Sequence, residues 1–178
     1  MNNSREFLYH MLREIHERLL ERAIAEKLDF AFETTLGGKT ITALLARALS
    51  EGIEVRVWYV GLSSPELHIA RVKSSVEQGG HEIPEGRIRE RYTRSRLNLV
   101  QLLPNLTELL PYDNREEADP RTGEMAKPKL IRHVVQGRVF EPCDLTVVPE
   151  WAKSVVASHP GLLVNGAAEL AYSRQQIR

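Results

Sequence analysis

Apolar positions recur at three- and four-residue steps through residues 4–27, where Leu8, Met11, Leu12, Ile15, Leu19 and Ala23 are separated by Arg and Glu. That period predicts an amphipathic helix. Asn3 followed by Glu6 resembles a capping arrangement at its start. The pattern then changes. Residues 29–34 form a short apolar run that ends in Glu33, Thr34 and Thr35 and predicts a buried strand, followed by a turn at Gly37 and Gly38. Ile41, Leu44, Leu45 and Ala48 restore the helical period over about 39–50, and Gly52 closes that helix. Residues 53–60 are β-branched and aromatic and read as the next strand. Helix, strand, helix, strand at this spacing predicts an α/β fold with a parallel sheet.

Beyond residue 60, Ser64 and Pro65 open a helix that runs to about Val76. A glycine connector at 79–83 leads to Pro84 and a further helix whose apolar face is Ile88, Tyr92 and Leu99. Residues 106–114 contain another strand, and 115–128 read as an exposed loop with Pro120 and Gly123. Residues 129–135 and 138–140, joined by Gln136-Gly137, read as a C-terminal β-hairpin. A short helix at 150–158 and a polar tail at 160–178 complete one domain spanning 1–178, with no internal repeat.

A chain of 178 residues with 24 basic and 24 acidic side chains can bury a core, and it carries no global field toward nucleic acid or membrane. Any anion site must therefore be local. The single cysteine, Cys143, excludes an intramolecular disulfide and suits a reducing cytoplasm. The first residues lack the apolar run of a signal peptide. The expectation is a soluble cytoplasmic protein.

Two stretches carry candidate chemistry. Glu33 ends an apolar strand at a glycine turn, where open α/β sheets place ligands, and either faces a substrate or caps the next helix. Arg87, Arg91, Arg94 and Asn98 fall on one stripe of the helix after Pro84. Guanidinium groups in a row suit a phosphate clamp, since Arg grips phosphate in bidentate fashion; the other reading is a solvated face partnered by Glu85 and Glu90. Gly38-Lys39-Thr40 lacks the glycine five positions before Gly38 that a phosphate loop needs, because Glu33 stands there. His10 and His16 are six residues apart, the wrong step for two metal ligands on one helical face, and no metal site is expected.

Taken together, 30–36 with Gly38, Ser64-Pro65-Glu66-Leu67, Ala70-Arg71-Val72, Gly79-Gly80-His81, Ile83-Pro84, Ile88-Arg89, Arg91-Tyr92, Arg94 and Tyr112-Asp113-Asn114 resemble the bacterial zeta-toxin-like family of P-loop kinases over about 15–155. The resemblance implies an ATP-dependent kinase fold, a transferase that phosphorylates a small molecule of the UDP-amino sugar class with ATP and Mg²⁺, and an antitoxin partner. By position it implies that Glu33 acts at the substrate, beside Thr34 and Thr35. Arg91 and Arg94 resemble lid arginines that close on the triphosphate, with Arg87, Arg89 and Asn98 as further phosphate-side candidates and Arg71 in support.

The family's Gly-x-x-x-x-Gly-Lys-Ser/Thr loop, its first strand and its candidate catalytic Asp lie ahead of the point where this sequence starts. The expectation is therefore a truncated kinase domain, inactive or nearly so as this chain, because the loop supplies most of the stabilisation of the transferring phosphoryl group. The absent strand would sit between 29–34 and 53–60, leaving two strands without their neighbour and favouring self-association. Two rivals stand beside this reading: a non-catalytic interaction or oligomerisation protein, and a nucleotide-binding module that uses Gly37, Gly38 and Lys39 as an anion site.

Overall fold

The computed structural model describes residues 3–116, 127–139 and 148–158. Its helices are α1 (Asn3–Glu26), α2 (Lys39–Ser50), α3 (Pro65–Glu77), α4 (Glu85–Leu102) and α5 (Glu150–Ala157). Its strands are β1 (Arg56–Gly61), β2 (Glu108–Asp113), β3 (Lys129–Leu130), β4 (Val134–Val135) and β5 (Arg138–Val139). The protein is a mixed α/β fold.

Three helices stop in the same way. After α2 and α3 the glycines Gly52 and Gly79 take φ of 77° and 91°, and the next amide bonds back into the last turn: Ile53 to Ala48 at 2.9 Å, Gly80 to Ser75 at 2.7 Å. This is a left-handed C-cap, which suits a residue without a β-carbon. After α1 the same place is filled by Lys27 at φ 53°, with the Leu28 amide on the Ala23 carbonyl at 2.9 Å. Ser64 caps α3 by accepting the Leu67 amide at 3.1 Å, ahead of Pro65 at the first helical position.

The sheet runs β1-β2-β4-β5, with β3 also on β2. Only β1 and β2 are parallel, with Trp58 opposite Leu110 and Gly61 opposite Asp113; the remaining pairs are antiparallel. The expected parallel sheet is thus a mixed one. β3 and β4 share β2 as neighbour but are interrupted at 131–133, so the first arm of the expected hairpin is two short pieces. Its turn is as expected: Gln136 and Gly137 both have positive φ, 48° and 73°, the geometry that matches strand twist. Most of the 115–128 loop, residue 140 and the 160–178 tail lie outside the described residues.

The strand expected at 29–34 is a correction. Residues 28–35 join no ladder. A strand needs a neighbour for its backbone groups, and the Val55, Gly61 and β2 contacts fix β1 on the other side. The Val55 carbonyl accepts from Thr107 at 3.0 Å and the Gly61 carbonyl from Asn114 at 2.9 Å, so the odd residues of β1 turn their backbone toward β2. Backbone direction alternates along a strand, so Arg56, Trp58 and Val60 direct theirs to the opposite edge. No described residue pairs with that edge.

The core lies on one face of the sheet. Leu20 and Ile24 of α1, Leu44, Leu45 and Ala48 of α2, and Leu99 and Leu102 of α4 gather with Leu109, while Val57 and Tyr59 pack against them. A second cluster sets Trp151 and Ala152 of α5 against Tyr59, Tyr92 and Ile131. Trp58 and Val60 face away and are 75% and 54% exposed. The apolar stripe of α1 is split: Ala23 is buried, whereas Met11, Ile15 and Leu19 remain exposed.

Candidate functional site

A groove of about 2020 Å³ is lined by β1 and by residues 28–35. One wall is the open edge of β1, and the other is 28–35, which joins no ladder among the described residues. At the carboxyl end of β1 the groove is closed by α3 and α4, which contribute His68, Arg91, Tyr92 and Arg96. This is the end at which ligands bind in open α/β sheets.

The loop between 28–35 and α2 is held from both sides. Thr34 Oγ1 accepts the Leu36 amide at 3.1 Å, and Thr42 Oγ1 donates to the Gly38 carbonyl at 2.9 Å. Asn98 Nδ2 reaches across from α4 and donates to the Leu36 carbonyl at 2.7 Å. Arg91 lies on Gly37, with its Cγ 3.1 Å from where a β-carbon on that glycine would stand. These contacts put Glu33, Thr34, Thr35 and Arg91 along one groove.

Tyr92 anchors α4 to the end of β1 by donating to the Ser63 carbonyl at 3.0 Å, and the Arg96 guanidinium covers its ring at 4.1 Å. Tyr59 and Ser95 share a hydrogen bond of 3.0 Å, and burial pushes the Tyr59 hydroxyl above its ordinary range. His68 is half-buried. Desolvation, and then the charges of Arg91 and Arg71, hold its imidazole below the usual value, so it sits in a positive field. Arg91 forms no ion pair with a described residue.

The sequence-derived candidates separate here. Arg91 and Glu33 line the groove, as do Thr34 and Thr35. Arg94 pairs with Glu90 at 2.9 Å, Arg89 with Glu66 at 2.5 Å, and Arg87 is exposed away from the groove lining. Arg89 holds the Glu66 carboxyl below its usual range through that hydrogen bond. Arg71 donates to the Glu116 carbonyl at 2.9 Å, and Asn98 is engaged by the loop. His68 and Arg96 are additions that sequence reasoning missed. The one signal for His68 is its place three residues before Arg71 on the same helix face.

No family model matches this chain. No solved structure matches it. A protein of Haemophilus influenzae described as an uncharacterized protein is 35% identical over 74 residues, which cover 42% of this chain and 53% of the relative. The chain spans about half the length of that relative.

Among the described residues, no three His, Cys, Asp or Glu side chains come together to hold a metal ion. Among the described residues no helix is long and apolar enough to cross a membrane. Chemically, the groove brings together the Arg91 guanidinium, the His68 imidazole that can take a proton, the Thr34 and Thr35 hydroxyls and the Glu33 carboxylate. That set can bind an anion and orient a hydroxyl.

Proposed function

We propose that this chain is the lid and substrate side of a zeta-toxin-like kinase domain, whose family activity is ATP-dependent phosphorylation of a small molecule of the UDP-amino sugar class. The observation that carries the reading is the position of Arg91, ion-pair-free among the described residues, in the same groove as Glu33 at the carboxyl end of β1. In this reading the triphosphate lies under Arg91, with Arg96 adding positive charge and the His68 imidazole able to take a proton, and Glu33 orients the substrate hydroxyl. The chain contains no Gly-x-x-x-x-Gly-Lys-Ser/Thr loop. It therefore binds nucleotide weakly and turns it over at a negligible rate by itself. Thermal unfolding with and without ATP and Mg²⁺ tests this: stabilisation that is lost in Arg91→Ala supports it, and an unchanged midpoint at 10 mM ATP overturns it.

A second reading, a non-catalytic interaction or self-association protein of the same fold, is favoured by a different observation. Met11, Ile15 and Leu19 form an exposed apolar stripe on α1 at helical spacing. Sedimentation that shows a concentration-dependent mass, abolished by Ile15→Glu, would support that reading.

A further inference from the structure

We propose that the left-handed turn at Leu36, latched by Asn98, is a spacer: it keeps the Glu33 carboxylate from closing on the Arg91 guanidinium, and so keeps that guanidinium free for an anion.

The turn is held against its own preference. Among the described residues, Leu36, Lys27 and Gln136 are the non-glycine positions with positive φ, at 50°, 53° and 48°. Lys27 and Gln136 are exposed and close a helix and a hairpin, whereas Leu36 is 4% exposed within the core cluster. A left-handed leucine crowds its β-carbon against the backbone, and such a conformation persists only where the surroundings over-determine it. Here the side chain is buried, Thr34 Oγ1 accepts the Leu36 amide at 3.1 Å, and Asn98 Nδ2 donates to the Leu36 carbonyl at 2.7 Å.

The latch belongs to a fixed frame. Tyr92, Ser95 and Asn98 follow at three-residue steps on α4 and share one side of it. Tyr92 donates to the Ser63 carbonyl at 3.0 Å and Ser95 shares a 3.0 Å hydrogen bond with Tyr59, which fix α4 on β1 and its exit. Asn98 extends that frame to the loop after Glu33.

Charge gives the turn its purpose. Glu33 and Arg91 line one groove, and neither forms an ion pair with a described residue. Opposite charges in one groove attract. Glu33 lies three residues before Leu36, so a change of φ there swings the carboxylate. Once closed, the pair occupies the guanidinium fork that an anion needs. Asn98 is therefore a positioning residue, acting on Arg91 through Leu36 and Glu33.

The inference rests on the reading of Arg91 as the anion-binding group, and the experiment separates the two. Asn98→Leu keeps the side-chain size and removes the donor. Thr34→Val, at an exposed position, removes the other polar anchor should the first variant fail to fold. In the anion-free chain His68 reports on Arg91, whose charge adds to burial in holding the imidazole below its usual range. The expected result is an upward shift of the His68 pKa in either variant, read by imidazole NMR titration, and its reversal when Glu33→Gln is added. Tripolyphosphate affinity, measured calorimetrically, should fall about tenfold with Asn98→Leu and return to within about twofold of the Glu33→Gln chain in the double variant. A merely structural role for Asn98 gives no such rescue. A His68 pKa that does not move, or a shift that Glu33→Gln leaves in place, overturns the spacer. Absent tripolyphosphate binding by the unmodified chain overturns the anion reading of Arg91, and the His68 titration still decides the spacer.

Discussion

Arg91 rests on Gly37: its Cγ and Cβ stand 3.1 Å and 3.4 Å from the place where a side chain on the glycine would begin. The loop before α2 and the free guanidinium of α4 are therefore one mechanical unit. Gly37→Ala should move Arg91 by a few tenths of an ångström, cost about 1 kcal/mol, and weaken binding of tripolyphosphate. Calorimetric titration of that anion checks it. An unchanged affinity would mean that Arg91 is not held by this contact.

Arg91 and Arg94 should part company. Arg91→Ala removes the groove guanidinium that forms no ion pair with a described residue and abolishes stabilisation by ATP and Mg²⁺. Arg94→Ala breaks an exposed pair with Glu90 and should change it little, since such pairs contribute about 0.3–0.5 kcal/mol to a helix. With weak nucleotide binding at tenfold excess over its dissociation constant, the expected stabilisation is about 1.4 kcal/mol. The measurement is the unfolding midpoint of each variant. Equal loss in both would favour a solvated basic face.

His68 gives the chain a pH dependence of known sign. Its pKa is lowered on folding by burial and by Arg91 and Arg71. The unfolded chain therefore takes the proton first as pH falls below about 6.5. Stability is unaffected by this group above that value and declines below it, down to the folded pKa. His68→Gln should flatten the decline in urea midpoints over this window. Bound tripolyphosphate should raise the His68 pKa in an imidazole NMR titration; no upward movement would remove His68 from the anion end of the groove.

Gly61 ends β1 beneath Trp151, whose ring carbons lie 2.4 Å from the place of an added β-carbon. The ring is buried, and its Nε1 donates to Asp113 at 3.1 Å. Gly61→Ala should destabilise by about 1–3 kcal/mol through overpacking. Trp151→Phe strands the Asp113 oxygen and should cost about 1–3 kcal/mol. Chemical denaturation measures both. A neutral Gly61→Ala would show that α5 moves freely over the sheet.

Lys27 is the lysine among three left-handed helix ends, the other two being glycines. Lys27→Gly should stabilise the chain by about 0.5–1 kcal/mol, as the β-carbon strain at φ 53° is relieved. A lower unfolding midpoint would show that Lys27 does more than close α1.

Local pattern made most elements legible. α2 falls on the expected residues because Gly38 and Gly52 bracket an unbroken helical period, and α3 opens where Ser64 and Pro65 signal it. The 29–34 stretch misled because residue types report that a segment suits a strand but not that a neighbour exists to pair with it. The parallel sheet was over-read for the same reason: short β3 and β4 run antiparallel on β2, and the Gln136-Gly137 turn folds β5 back on β4. At the site, the arginine stripe on α4 was visible at helical spacing. Which of its members faces the groove depends on where Glu66 and Glu90 reach, and on α3 bringing His68 close to Arg91. Those are long-range facts that a single helix cannot encode.

The chain has two tryptophans, and the sheet sets them in opposite surroundings: Trp151 of α5 is 2% exposed against the sheet, and Trp58 is 75% exposed on the open strand. Their emission should separate, blue for the first and red for the second, with iodide quenching the second alone. The protein thus carries an intrinsic optical gauge in which one indole reports the intact interior and the other reports whatever settles beside it.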